Sequence, residues 1–146
     1  MKIKIAGLLL ALFSLSSTLL QAQVKKQQHR PGSATSVLRG KIVYTSICLP
    51  CHMADGGGVQ NMNPPLTKTT YVLGDKAALI KIVLNGFNED VEINGNTYSN
   101  TMASHADLKD QQIADVLTYV RSSFGNKASA VKVGEVTKVR AALKSH

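Results

Sequence analysis

The chain has 146 residues, with 17 Lys and Arg against 9 Asp and Glu, a formal charge of +8. That length suits one domain and excludes a second sizeable core. A composition of 44% apolar and 18% charged residues excludes a disordered chain, and two cysteines exclude a disulfide-stapled miniprotein.

Aromatics make up only 5%, with no Trp, so the interior lacks its usual large fillers and calls for another. Met1-Lys2-Ile3-Lys4 gives a positive start, and Ile5 to Leu20 carries no charge. The apolar centre Leu8-Leu9-Leu10-Ala11-Leu12-Phe13 is followed by Ser16, Ser17 and Thr18, and small Ala22 is a suitable last residue before cleavage. Residues 1–22 therefore read as a secretory signal peptide. The alternative is an uncleaved membrane anchor, since the uncharged run can span a bilayer if tilted. Either way the rest of the chain is exported, and no Cys marks a lipoprotein. Cleavage leaves +6 and no membrane span. Residues 23–36, with Lys25, Lys26, Gln27, Gln28, Pro31 and Gly32, have no apolar period and read as a flexible lead-in.

Patterning begins near Val37. Gly40, Val43, Tyr44, Ile47, Cys48 and Cys51 recur at helical spacing. Ile42-Val43-Tyr44-Thr45 would suit a strand, but periodicity over a dozen residues predicts a helix, with Ser33, Thr35 or Ser36 as cap. It ends in Cys48-Leu49-Pro50-Cys51-His52. Two thiols three positions apart can add to the two vinyl groups on one edge of a haem, and the next residue places an imidazole under the iron. C-x-x-C-H is the attachment signature of c-type haem. Three other readings compete: a thioredoxin-like redox pair, which wants a βαβ setting; a structural disulfide, which leaves His52 no role; and a zinc site, for which a fourth ligand would have to come from distant His105 or the chain ends.

Downstream, Asp75 caps a helix through Leu84, with Leu79, Ile80 and Val83 inward and Asn85-Gly86 as its end. Phe87 to Tyr98 alternates weakly around an Asn94-Gly95 turn, which suggests a small hairpin. A c-type electron carrier also wants a sixth iron ligand, usually a thioether. Met53 adjoins the proximal His and cannot reach the opposite face, and Met62 lies in a loop leading to Pro64-Pro65-Leu66, more on the proximal side. Met102, in the irregular stretch from Tyr98 to Ser104, is the preferred ligand, with core filling as the bland alternative and His105 as rival donor. Asp110 opens a helix with Ile113, Val116, Leu117, Val120 and Phe124 inward, closed by Gly125. Residues 127–146 form a basic tail with a helical run from Glu135 to Leu143. Val136, Val139 and Leu143 share one face, and Lys132, Lys138, Arg140 and Lys144 form a solvated basic one.

From Arg39 to about Asn126 the chain resembles the class I monohaem cytochromes c. Gly40 and Tyr44 stand eight and four residues before Cys48, as in that family's N-terminal helix. Asp55-Gly56-Gly57-Gly58 matches its Asp-Gly-x-Gly, and Ile113 to Arg121 its C-terminal helix. The resemblance implies an all-α cytochrome c fold over residues 37–126, with three to five helices round one covalent haem c and room for a small hairpin insertion. It implies haem attachment at Cys48 and Cys51 and axial ligation by His52 and Met102. Pro64, or Pro65 one step on, would accept a hydrogen bond from the proximal His. Gly40 would allow the terminal helices to cross closely against Val116 or Tyr119. The hairpin segment and tail resemble bacterial cytochromes that serve periplasmic dehydrogenases or respiratory oxidases. Those relatives commonly follow the axial Met with Pro. Ala103 stands there instead, which implies a less stiff loop.

The implied function is single-electron transfer between periplasmic or membrane-bound redox partners, by a monomer that is not itself an enzyme. A six-coordinate iron has no open position for a substrate. The basic surface would steer weak, salt-dependent docking to acidic partners, and nucleic acid is excluded as a partner by export. The rivals are a five-coordinate haem protein, either gas sensor or peroxidase-like, and a haem-free thiol–disulfide oxidoreductase.

Overall fold

A computed structural model describes residues 34–145. The expected signal peptide, residues 1–22, and most of the expected lead-in lie outside them. Helix α1 runs Ala34–Val43, so residues 34–36, expected in the lead-in, are already helical. It continues without a break into a π-helical turn, Tyr44–Cys48, and then α2, Leu49–His52. The strand propensity of Ile42 to Thr45 loses to the helical stripe. The wide turn has a local cause: Pro50 brings no N–H to the ladder, and its ring crowds the carbonyl four residues back. The Leu49 N–H accordingly reaches Tyr44 O instead.

Helices α3 (Thr70–Leu73) and α4 (Lys76–Asn85) follow. Thr69 caps the first through the Val72 N–H at 3.2 Å, and Asp75 the second through the Ala78 N–H at 2.7 Å. α4 buries Leu79, Ile80, Val83 and Leu84. Strands β1 (Val91–Ile93) and β2 (Asn96–Tyr98) pair antiparallel, Val91 opposite Tyr98, across the Asn94-Gly95 turn. With Phe87 they form a small core of their own. Helix α5 spans Asp110–Ser122 and buries Ile113, Val116, Leu117 and Val120. The described residues are mostly helical, as expected, with one two-stranded hairpin.

α1 lies across α5, and the crossing is set by Gly40. A Cβ there would run into the Asp115 carbonyl and come within 2.8 Å of Tyr119 Cβ. The close neighbours are thus Asp115 and Tyr119, and Val116 points into the core instead. Asp115, buried at 2% exposure, ties the helices together. Its carboxylate accepts from Ser36 Oγ at 2.5 Å, Arg39 Nε at 2.6 Å and Gln111 Nε2 at 3.0 Å. Phe124 lies beyond α5 rather than in its stripe. Its ring stacks at 5.2 Å from Tyr44 and 5.5 Å from Tyr119, closing an aromatic cluster beside the crossing.

Residues 127–145, expected as an appended tail, are built into the fold. Helix α6 runs Val133–Lys144 and buries Val136 and Val139 in the main core, as does Val131 before it. Thr118 exchanges two hydrogen bonds with Val131. Arg121, 3% exposed, reaches the carbonyls of Val72, Gly74 and Ser129. Arg140 is likewise no solvated side chain: it pairs with Asp110 at 2.7 Å. Lys132, Lys138 and Lys144 do face solvent.

Candidate functional site

The helices, the 63–66 loop and the hairpin enclose a cavity of about 300 Å³. Cys48, Cys51 and His52 form part of its wall, Met102 another part, and Leu79, Val83, Leu117 and Val120 contribute apolar surface. Of the methionines among the described residues, only Met102 lines it; Met53 and Met62 are exposed on the surface. His105 lines the cavity too.

His52 is held from two sides. Its backbone continues α2, and the chain leaving it is pinned by the Tyr44 hydroxyl, which donates to Met53 O at 2.6 Å. Its Nδ1 lies 3.0 Å from Pro64 O, the geometry of an N–H donor to a carbonyl. Nε2 is then the bare nitrogen, free to bind a metal. Pro65 makes no such contact. Burial lowers the His52 pKa below the ordinary histidine value, against the opposing pull of the Pro64 carbonyl, and His105 lowers it further. The ring is thus kept in the neutral form that a metal requires. The Gly58 N–H returns to His52 O at 3.2 Å, and the Leu66 N–H to Gly56 O at 2.7 Å, so the glycine run folds the 59–66 loop back beside the motif.

Cys48 and Cys51 are not joined in a disulfide. Burial, then the neighbouring Cys51, pushes the Cys48 thiol up to about 11. A thiol–disulfide oxidoreductase needs the opposite, a thiol acidic enough to attack as thiolate at neutral pH. Among the described residues no three His, Cys, Asp or Glu side chains converge as a metal cluster would require.

Met102 is placed by main-chain contacts. It pairs with Phe87 in a single antiparallel bridge, Met102 N to Phe87 O at 2.7 Å and Phe87 N to Met102 O at 2.9 Å. The Ser104 hydroxyl donates to Leu84 O at 2.5 Å, and the His105 N–H to Val83 O at 2.9 Å. The loop is thus fastened to the C-terminal end of α4 at three successive points. The stiffness that Ala103 does not provide comes from these bonds, a long-range pairing with no signature in the local sequence.

The residues fit a covalently bound haem: two thiols three apart, a neutral buried imidazole with its second nitrogen engaged, and a thioether, all on one largely apolar cavity. Among the described residues no helix is long and apolar enough to cross a membrane.

Comparison with known proteins agrees with this geometry. The family model for cytochrome c matches residues 37–124. Cytochrome c-552 of Thermus thermophilus is 32% identical over 120 residues, covering 75% of this chain and 80% of that protein. The cytochrome c subunit of a quinone alcohol dehydrogenase from Gluconacetobacter polyoxogenes is 35% identical over 73% of this chain. That of a gluconate 2-dehydrogenase from Pantoea cypripedii is 35% identical over 62%. The chain spans 23% and 21% of the length of these two subunits.

Proposed function

This chain belongs to the cytochrome c family, an electron-transfer protein carrying covalent haem c, and from that premise we propose that it shuttles single electrons between periplasmic or membrane-bound redox partners, one of them a dehydrogenase. Cys48 and Cys51 would hold the haem covalently, and His52 Nε2 and Met102 Sδ would bind its iron. The observation that carries the reading is that these four side chains line one cavity. When bound, the haem supplies the one-electron couple. The chain's own part is to hold it still and dry. Pro64 fixes the imidazole, the α4 end fixes the thioether loop, and the two helix-borne thiols anchor one edge. With His52 and Met102 both bound to the iron, no position would be left there for a substrate, which suits a carrier.

The cytochrome subunits of a quinone alcohol dehydrogenase and a gluconate 2-dehydrogenase among the relatives support a dehydrogenase as donor. The signal-like residues 1–22 support export, and the chain works as a monomer docking transiently to its partners.

Optical spectra of the exported protein, oxidised and reduced, test the ligation. Wild type is expected to be low-spin with a weak sulfur-to-iron band, lost in Met102→Ala. A high-spin wild type would leave the sixth position open, a low-spin wild type without the band would move it to His105, a band that survives the substitution would move it to another methionine, and a colourless protein would end the haem reading.

A further inference from the structure

The segment from Thr101 to Lys109 has no ladder of its own. Upstream it is fastened to the end of α4, as described above. Downstream Leu108 is buried in the main core, and the carbonyls on either side of Asp107 are held by one side chain from the last helix. Arg140 Nη1 donates to Ala106 O at 2.7 Å and Nη2 to Leu108 O at 2.6 Å. Its Nε donates to Asp110 Oδ1 at 2.7 Å. Thr137 Oγ1 takes the other Asp110 oxygen at 2.6 Å. The two carbonyls lie four and six residues after Met102, on the turn that His105 O and the Leu108 N–H close at 3.1 Å.

We propose that Arg140 is a positioning residue for the distal ligand: α6 reaches across the core and clamps the Met102 loop from behind. The inference rests on the reading of Met102 as ligand. The chemistry suits Arg alone. A guanidinium presents several donors in a rigid fork, so one side chain serves two carbonyls and a carboxylate at once. An ammonium would keep the ion pair and lose the fan.

A purely structural role for Arg140 would be to dock α6. That docking has independent support, however. Val136 is fully buried, and Lys76 Nζ donates to Ala130 O at 2.6 Å and to Glu135 Oε1 at 3.2 Å. Removing Arg140 therefore leaves α6 seated and frees the loop.

The test uses the holoprotein and four variants, Arg140→Ala, Arg140→Lys, Glu135→Gln and Met102→Ala. The sulfur-to-iron band and the far-ultraviolet dichroism are followed together through a urea titration. In Arg140→Ala the band is expected to fade well before the helices unfold. The ratio of thioether-off to thioether-on protein rises about tenfold, the order expected for losing charge-assisted bonds from a partly exposed side chain. The reduction potential falls with it, because the thioether favours reduced iron. Arg140→Lys falls between. Glu135→Gln lowers the unfolding midpoint while band and helix signal disappear together.

If band and helix signal also disappear together in Arg140→Ala, with an unchanged potential, Arg140 only docks α6 and the proposal is overturned. A band missing from wild type, or one persisting in Met102→Ala, removes the premise and is seen before Arg140 is touched.

Discussion

Two glycines mark close backbone approaches around the cavity, and the regions they belong to are held by different forces. Gly40 sits where α1 crosses α5, pressed against Asp115 and Tyr119. Around it are side chains: the Asp115 carboxylate with its three donors, and the Tyr44, Tyr119 and Phe124 rings. Gly86 ends α4 at φ +78°, with the Ser104 nitrogen 2.9 Å and the Ala103 carbonyl carbon 3.0 Å from where a Cβ would stand. Around it are main-chain bonds from a loop to a helix end. Interlocked side chains in the core fail only when the domain fails. A loop on a few part-exposed bonds can open by itself, at a lower free energy. The thiol-and-imidazole side of the site is thus tied to global stability, and the thioether side is not.

Substitution at the two glycines breaks this contrast if it is wrong. Gly40→Ala forces the helices apart at their tightest point and is expected to cost about 3 kcal/mol in urea unfolding of the holoprotein. The sulfur-to-iron band should persist up to the unfolding transition. Gly86→Ala combines a left-handed backbone with overlap on the Met102 loop and is expected to cost about 2 kcal/mol. Here the band should disappear first, with the helices intact. A Gly40→Ala protein that loses the band early, or a Gly86→Ala protein that keeps it to the end, would show the two sides coupled.

Tyr44 sharpens the comparison on the proximal side. Its hydroxyl fastens the residue after His52, so Tyr44→Phe removes one hydrogen bond while leaving the ring stacked. A loss of about 1 kcal/mol is expected, read as a lower urea midpoint with an unshifted band.

The same contrast explains what the amino-acid sequence could and could not show. The proximal side is legible because its parts are local: Cys48, Cys51 and His52 lie within five positions, and Gly40 and Tyr44 recur at helical spacing before them. α4, the hairpin and α5 were legible from cap, turn and periodicity. The π-helical turn was not, although Pro50 held the clue. The distal side depends on pairings across long sequence distances, Phe87 with Met102 and Arg140 with Ala106 and Leu108, for which carbonyl acceptors carry no residue-type signal. Arg140 and Arg121 read as ordinary basic residues because only the fold shows which carbonyls they meet. Val136, Val139 and Leu143 share one face of α6 in the sequence, but nothing there shows that this face is buried in the main core.

Acid provides the gentlest probe of the comparison. Burial raises the Asp115 pKa, but hydrogen bonds from Arg39, Ser36 and Gln111 outweigh it and hold the carboxyl below its ordinary value. Asp110 is also held low, by Thr137 first and then Arg140. Burial raises Glu135 too, but the Lys132 N–H and then Lys76 hold it low. A carboxylate depressed in the folded state contributes stability that is complete above its unfolded pKa and disappears as pH falls through the ordinary carboxylate range towards the folded value. Stability should therefore decline from about pH 5 downwards, the region where these groups begin to protonate in the unfolded chain. Asp115→Asn should flatten the acid decline. An equal decline in wild type and Asp115→Asn would mean that the crossing is held by packing at Gly40 and the aromatic rings alone.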